Sequence, residues 1–185
     1  MHAPPRSMRT RIRFAMLSMA FLLLIAGHET TSGLIGNGTL ALLRNPSELR
    51  RLHDDPSLIR TAVEEMLRYD SPVQLTRRLM LEDAEIDGHG IRKGEDVVAL
   101  VGAANRDPDQ FRHPDRLDIG RADNRHMAFG GGIHFCLGAH LARLEGRIAI
   151  SELARRWPNM ELATDTIEWR DTITLRGLKG LPVAL

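Results

Sequence analysis

The longest apolar run in the chain is residues 14–27, FAMLSMAFLLLIAG, which carries no charge. Arg9, Arg11 and Arg13 precede it, so the segment imitates a secretory signal peptide. It is shorter than the roughly 20 residues that a helix needs to span a bilayer. His28, Glu29, Thr30 and Thr31 follow at once, with no clear small-residue cleavage site. The pattern predicts a buried core helix over residues 14–44, continuing past Gly33, Gly36 and Gly38. Residues 1–13, rich in Pro and Arg, read as a disordered leader outside the domain.

Asn45-Pro46 places a cap and a first-turn proline at the start of a short helix ending near His53. Asp55-Pro56 opens another, to about Tyr69. There Leu58, Ile59, Ala62, Val63, Met66 and Leu67 share one helical face. Ser71-Pro72 ends it. Strand-like pieces follow at 76–81, 84–86 and 96–101, linked by Asp87-Gly88 and Lys93-Gly94 turns. Residues 105–125 are polar and aperiodic. A last helix is expected over 137–157, stopped by Pro158, with short strands in the tail. No internal repeat or second domain is visible. The fold class is mainly α with small β-sheets (α+β), in one domain over 14–185.

At 185 residues the chain is long enough for one substantial core. Its formal net charge of +1 speaks against a nucleic-acid partner, which calls for a basic face. Lys93 and Lys179 are the only lysines, so the positive charge is nearly all arginine, suited to bidentate pairing with carboxylates. The single cysteine, Cys136, rules out an internal disulfide framework and fits a reducing, cytoplasmic compartment.

That cysteine lies in FGGGIHFCLGAHLAR, residues 129–143, where a glycine-rich loop runs into a helix. A thiolate at a helix N-terminus is stabilised by the dipole and the unpaired amides there, so it can serve as nucleophile or metal ligand. The loop is not a P-loop, because no Gly-Lys-Ser/Thr ending follows. Nor is it a dinucleotide fingerprint, because Phe135 stands where a third glycine is required. A zinc site built on Cys136 and His140 needs two more ligands, and a cysteine hydrolase needs an activating histidine. A buried, inert cysteine is the plainest alternative. Two further patterns bear on chemistry. Glu65 and Arg68 are spaced to pair along one helix edge, as an ordinary surface pair would be. At Ala26-Gly27-His28-Glu29-Thr30-Thr31, a mid-helix Thr that bonds back to the preceding turn, beside a glycine, can open a groove for a small molecule such as dioxygen. His28-Glu29 lacks the second histidine of a zinc-protease helix.

The loop matches F-x-x-G-x-[basic]-x-C-x-G at every position and resembles the haem-ligand loop of the cytochrome P450 family. By that resemblance Cys136 is the proximal ligand and metal-binding residue of haem b, with Phe129, Gly130 and Gly138 around it. His134 is implied as a propionate partner, and Arg78, counted back from Ile86-Asp87-Gly88, as another. His126 is a weaker third. Residues 26–31 are similar to the A-G-x-[D/E]-T-[T/S] oxygen-activation motif. This implies that Ala26 lies at the cofactor, that Thr30 hydrogen-bonds dioxygen and that Glu29 helps deliver protons. Glu65 and Arg68 resemble the family's E-x-x-R, and Arg116, in Pro114-Asp115-Arg116, is the implied third member of that buried network. The match runs from about Leu17 to the C-terminus in family order, in the style of the soluble bacterial members.

The implied activity is a haem-thiolate monooxygenase acting on a small organic substrate, with no membrane or nucleic-acid partner. Electrons would come from a ferredoxin-like or flavin donor docking near the Cys face, with Arg143 and Arg147 as contacts. A complete member is more than twice this length, its additional part preceding the oxygen helix. The expectation is therefore the C-terminal portion of the fold without its N-terminal half, leaving apolar residues such as Phe21, Leu22, Leu23, Leu24 and Ile25 without partners. The alternative is a non-catalytic remnant that binds haem weakly or not at all.

Overall fold

A computed structural model describes residues 8–185. Helix α1, Met8–Arg44, begins before the apolar run, so residues 8–13 are helical rather than a disordered leader; residues 1–7 of that leader lie outside the described residues. Burial along α1 is one-sided in sequence. Leu34, Asn37, Gly38, Leu40, Ala41 and Leu42 are buried, whereas Phe14, Phe21, Leu22, Leu24 and Ile25 are exposed. The apolar run is thus helical but exposed: it is not the buried core helix its own pattern suggests, and the exposure of Phe21, Leu22, Leu23, Leu24 and Ile25 is the one expected from the family resemblance. By length and composition α1 is also apolar enough to cross a membrane.

Helix α2 (Pro46–Asp54) begins with proline in its first turn. A 3₁₀ turn, Pro56–Leu58, follows, its Asp55 carboxylate accepting the Ser57 amide at 3.0 Å. Helix α3 (Ile59–Tyr69) buries Ala62, Val63, Met66 and Leu67 as the spacing predicts. Strand β1 (Thr76–Leu79) pairs antiparallel with β4 (Asp96–Ala99). Both are shorter than expected; β4 ends at Ala99 because the chain turns at Leu100 into the one-turn helix α4, Val101–Ala104. Strands β2 (Ala84–Ile86) and β3 (His89–Ile91) form a hairpin. Its turn residues Asp87 and Gly88 have φ of 50° and 76°, the left-handed pair that a two-residue hairpin loop requires. Strand β3 was not anticipated, because it is hidden in what reads as turn sequence.

Helix α5 (Ala139–Arg156) buries Ala139, Gly146, Ile150 and Ala154, a stripe at helical spacing. It crosses α1 and α3 at Gly146, where an added Cβ would lie 3.0 Å from Leu34 Cδ2 and 3.4 Å from Val63 Cγ1. A side chain there would press on both, and glycine avoids that crowding. The core is Leu34, Leu42, Leu49, Leu52, Val63, Met66, Leu117, Ile119 and Ile150. Strands β5 (Glu161–Leu162) and β6 (Val183–Ala184) pair near the C-terminus. Arg176 ties that tail to the end of α3, its amide donating to Pro72 O at 2.7 Å and its Nε to Asp70 Oδ1 at 2.7 Å.

Candidate functional site

The loop before α5 is held by its own backbone. Gly130 and Gly132 adopt φ of 68° and 59°, where L side chains are strained. The Gly130 amide donates to Met127 O at 2.8 Å, and Phe135 N donates to Gly132 O at 3.1 Å. The Cys136 amide donates to Phe129 O at 2.9 Å, and the Cys136 carbonyl accepts Ala139 N at 3.2 Å. These bonds leave Cys136 one turn ahead of α5, whose N-cap is Gly138. The thiol is exposed, so the reading as a buried inert cysteine does not hold. An added Cβ on Gly138 would lie 4.0 Å from Cys136 Sγ, so the sulfur stands on the side of Gly138 where a side chain would project. Around it Ile133 and Leu137 are 97% and 89% exposed, and Phe135 and His134 are exposed as well. Among the described residues no group of three His, Cys, Asp or Glu side chains gathers as a metal site.

The residues of the second motif lie on α1. Thr30 Oγ1 donates to the Ala26 carbonyl at 2.7 Å, the back-bond its mid-helix position predicts. Glu29 is exposed and stands 3.7 Å from Arg170. From the crossing of Leu34 with Gly146, residues 26–30 lie one to two helical turns towards the start of α1. Ala139 lies about two turns towards the start of α5. Arg78 is exposed on β1, its Nη1 donating to the Arg77 carbonyl at 2.9 Å. Arg77 pairs with Asp96 across β1 and β4.

Glu65 and Arg68 do not form a surface pair: both side chains are 0% exposed. Arg68 Nε and Nη2 donate to Glu65 Oε2 and Oε1 at 2.8 and 2.9 Å. Arg68 Nη1 also donates to the carbonyls of Asn105 and Pro114, each at 2.8 Å. Glu65 accepts Asp118 N at 3.0 Å and Asn124 Nδ2 at 3.1 Å. The second guanidinium on Glu65 is that of Arg121, Nε to Oε2 at 3.0 Å, and not Arg116. Arg116 is exposed and contributes its carbonyl, which accepts Arg68 Nη2 and Arg121 Nη2, each at 3.3 Å. Arg116 follows a turn in which His113 has φ 51°; its carbonyl faces Arg68 while its side chain is exposed.

A neighbouring constellation escaped the sequence reading. Glu64 receives Arg143 Nε and Nη2 at 2.8 and 2.9 Å and His126 Nε2 at 3.0 Å. Burial raises the Glu64 carboxyl pKa, but the bonds from His126 and Arg143 outweigh it and hold the group at about 2. Arg143 is therefore engaged within the chain and is not a free docking contact; Arg147 stands 3.8 Å from the same carboxylate. Consecutive acids on one helix point about 100° apart. The available signal was thus an acid beside Glu65 together with Arg143 and Arg147 at i, i+4.

A protein-family model described as Cytochrome P450 matches residues 15–160. The chain belongs to the cytochrome P450 family. It is 52% identical over 173 residues to the "Polyketide biosynthesis cytochrome P450 PksS" of Bacillus subtilis (strain 168), which spans 92% of this chain and 43% of that protein. The solved structure of PksS superposes with a TM-score of 0.87 at 53% identity, over 91% of this chain and 44% of that one. The structure titled "P450BioI in complex with hexadec-9Z-enoic acid ligated Acyl Carrier Protein" gives a TM-score of 0.86 at 52% identity, over 89% and 43%. The chain thus spans a little over two-fifths of the P450s it matches, and over that share its helix-rich architecture with small sheets is the P450 fold.

Proposed function

We propose that this chain is the haem-binding part of a cytochrome P450 monooxygenase that uses haem b, with Cys136 as the axial thiolate. The observation that carries the reading is Cys136 itself. It is a soft sulfur donor, exposed, placed by backbone bonds at the mouth of α5 and flanked by uncovered apolar side chains. The surface around the sulfur is open and apolar, with Ile133, Phe135 and Leu137 exposed and nothing within 4 Å of a Cβ added to Gly132, which suits it to being covered by a large apolar group. When bound, haem supplies the dioxygen chemistry from which one oxygen atom enters an organic substrate and the other leaves as water.

The chain's own residues then divide as follows. Phe129, Gly130 and Gly138 hold the loop shape that presents the sulfur. Backbone amides near the start of α5 are placed to stabilise its negative charge. His134 and Arg78, both exposed cations or donors, are assigned to the propionates. Ala26 presents a small surface beside Thr30. With haem bound, the Thr30 hydroxyl, which bonds Ala26 O, would be the donor to a ligand there, and Glu29, exposed beside Arg170, would be the group that passes a proton to it. A ferredoxin-like or flavin donor in the cytoplasm supplies electrons at the Cys face. Substrate is a small organic molecule.

Haemin titration of the purified chain tests this: stoichiometric binding with a Soret band that is lost in Cys136→Ala is expected. Binding unchanged in Cys136→Ala contradicts it. The uncovered apolar face of α1 favours a second reading, a folded but non-catalytic form; no haem uptake by a chain with native helical circular dichroism would select that reading.

A further inference from the structure

Glu64 has no part in the roles assigned above, yet it sits where three segments meet. From α5 comes the Arg143 fork on both carboxylate oxygens. From the segment before the loop comes His126, whose side chain is 3% exposed. His126 Nδ1 accepts the Ala128 amide at 3.2 Å, so the ring proton resides on Nε2 and is donated to Glu64. Ala128 leads directly into Phe129. The Phe129 ring has Arg143 at 4.4 Å and the His126 ring at 6.0 Å, the guanidinium over its π face. The Phe129 carbonyl receives the Cys136 amide. One half-buried carboxylate is therefore connected to the Cys136 backbone through two parallel routes, His126–Ala128 and Arg143–Phe129.

We infer that Glu64 is a positioning residue for the Cys136 loop: with His126 and Arg143 it fixes Phe129, and Phe129 fixes the cysteine. Its neighbour Glu65 acts elsewhere, gathering residues 105–124 through Arg68, Arg121 and Asn124. Adjacent acids of α3 thus secure consecutive stretches of chain. The functional weight of this inference rests on Cys136 being the haem ligand, but the positioning itself does not.

Amide hydrogen exchange on the full chain, without haem, separates positioning from general stability. In Glu64→Gln, exchange of the Cys136 amide and of the 129–138 backbone should rise about ten-fold or more, as expected for losing a charged, bidentate hydrogen-bond pair. Core amides of α3 and the middle of α5 should stay within about two-fold. Arg143→Lys keeps the charge but loses the fork and the stacking on Phe129, and should produce a smaller rise in the same amides; it serves where Glu64→Gln does not fold. An unchanged loop in both variants, or a rise spread evenly over the whole chain, overturns the inference. Failure of the haem reading shows separately, as absence of a Soret band in the unsubstituted protein.

Discussion

Replacing Arg68 by leucine is expected to remove a large part of the stability of this chain. The side chain is fully buried and its guanidinium bridges Glu65 on its own helix to the carbonyls of Asn105, Pro114 and Arg116. Removing one member of a buried ion pair costs about 3–5 kcal/mol. Glu65 softens this, because Arg121, Asp118 N and Asn124 still reach it. The Arg116 carbonyl also keeps a donor in Arg121. The carbonyls of Asn105 and Pro114 lose the Arg68 bond, at about 1–3 kcal/mol each if left unpaired. These terms overlap, and a net loss of about 4–6 kcal/mol is the working figure, against a total of about 5–15 kcal/mol for a domain. Arg68→Lys keeps a charge but not the fork, and should lose roughly half as much. Urea unfolding followed by far-ultraviolet circular dichroism reads both, with the slope checking that two states persist. A midpoint for Arg68→Leu equivalent to less than about 1 kcal/mol of destabilisation would refute the reasoning.

The correction at the third arginine has its own test: Arg116→Ala should fall within about 0.5 kcal/mol of the unsubstituted chain, while Arg121→Ala should cost about 2 kcal/mol, read from the same urea midpoints. Glu64 gives a pH dependence. Because its folded carboxyl sits at about 2, its contribution is fully present above the ordinary value of 4.5 and is lost as pH falls from there towards 2. The drop in stability between about pH 5 and about pH 3 should therefore be shallower in Glu64→Gln. Gly146→Leu should force α5 away from Leu34 and Val63 and cost about 3 kcal/mol, seen as a lowered thermal midpoint.

What could be read from sequence was what is local. The α3 stripe, the first-turn proline Pro46, the cap at Asp55-Pro56 and the glycine loop before α5 are each specified by residues within a turn or two of one another; Asn45 does not cap with its side chain, which donates back to Ala41 O. The exposure of the start of α1 was not legible in its apolar pattern, because an apolar run is covered only if another segment packs on it; it was legible only through the family resemblance. Arg116 was assigned by likeness to the family's Pro-x-Arg segment, and nothing in the aperiodic stretch 105–125 signals that the Arg121 side chain is the one that reaches Glu65. The Glu64 cluster joins residues 62 and 79 positions apart, beyond any periodic signal.

The central claim is that Cys136 is a thiolate ligand to haem iron. The most direct measurement is the absorption spectrum of the haem-supplemented chain after reduction and exposure to carbon monoxide. A Soret band red-shifted as thiolate ligation requires, and abolished in Cys136→Ala, is the predicted result. A haem spectrum without that shift, or one that survives Cys136→Ala, would contradict it.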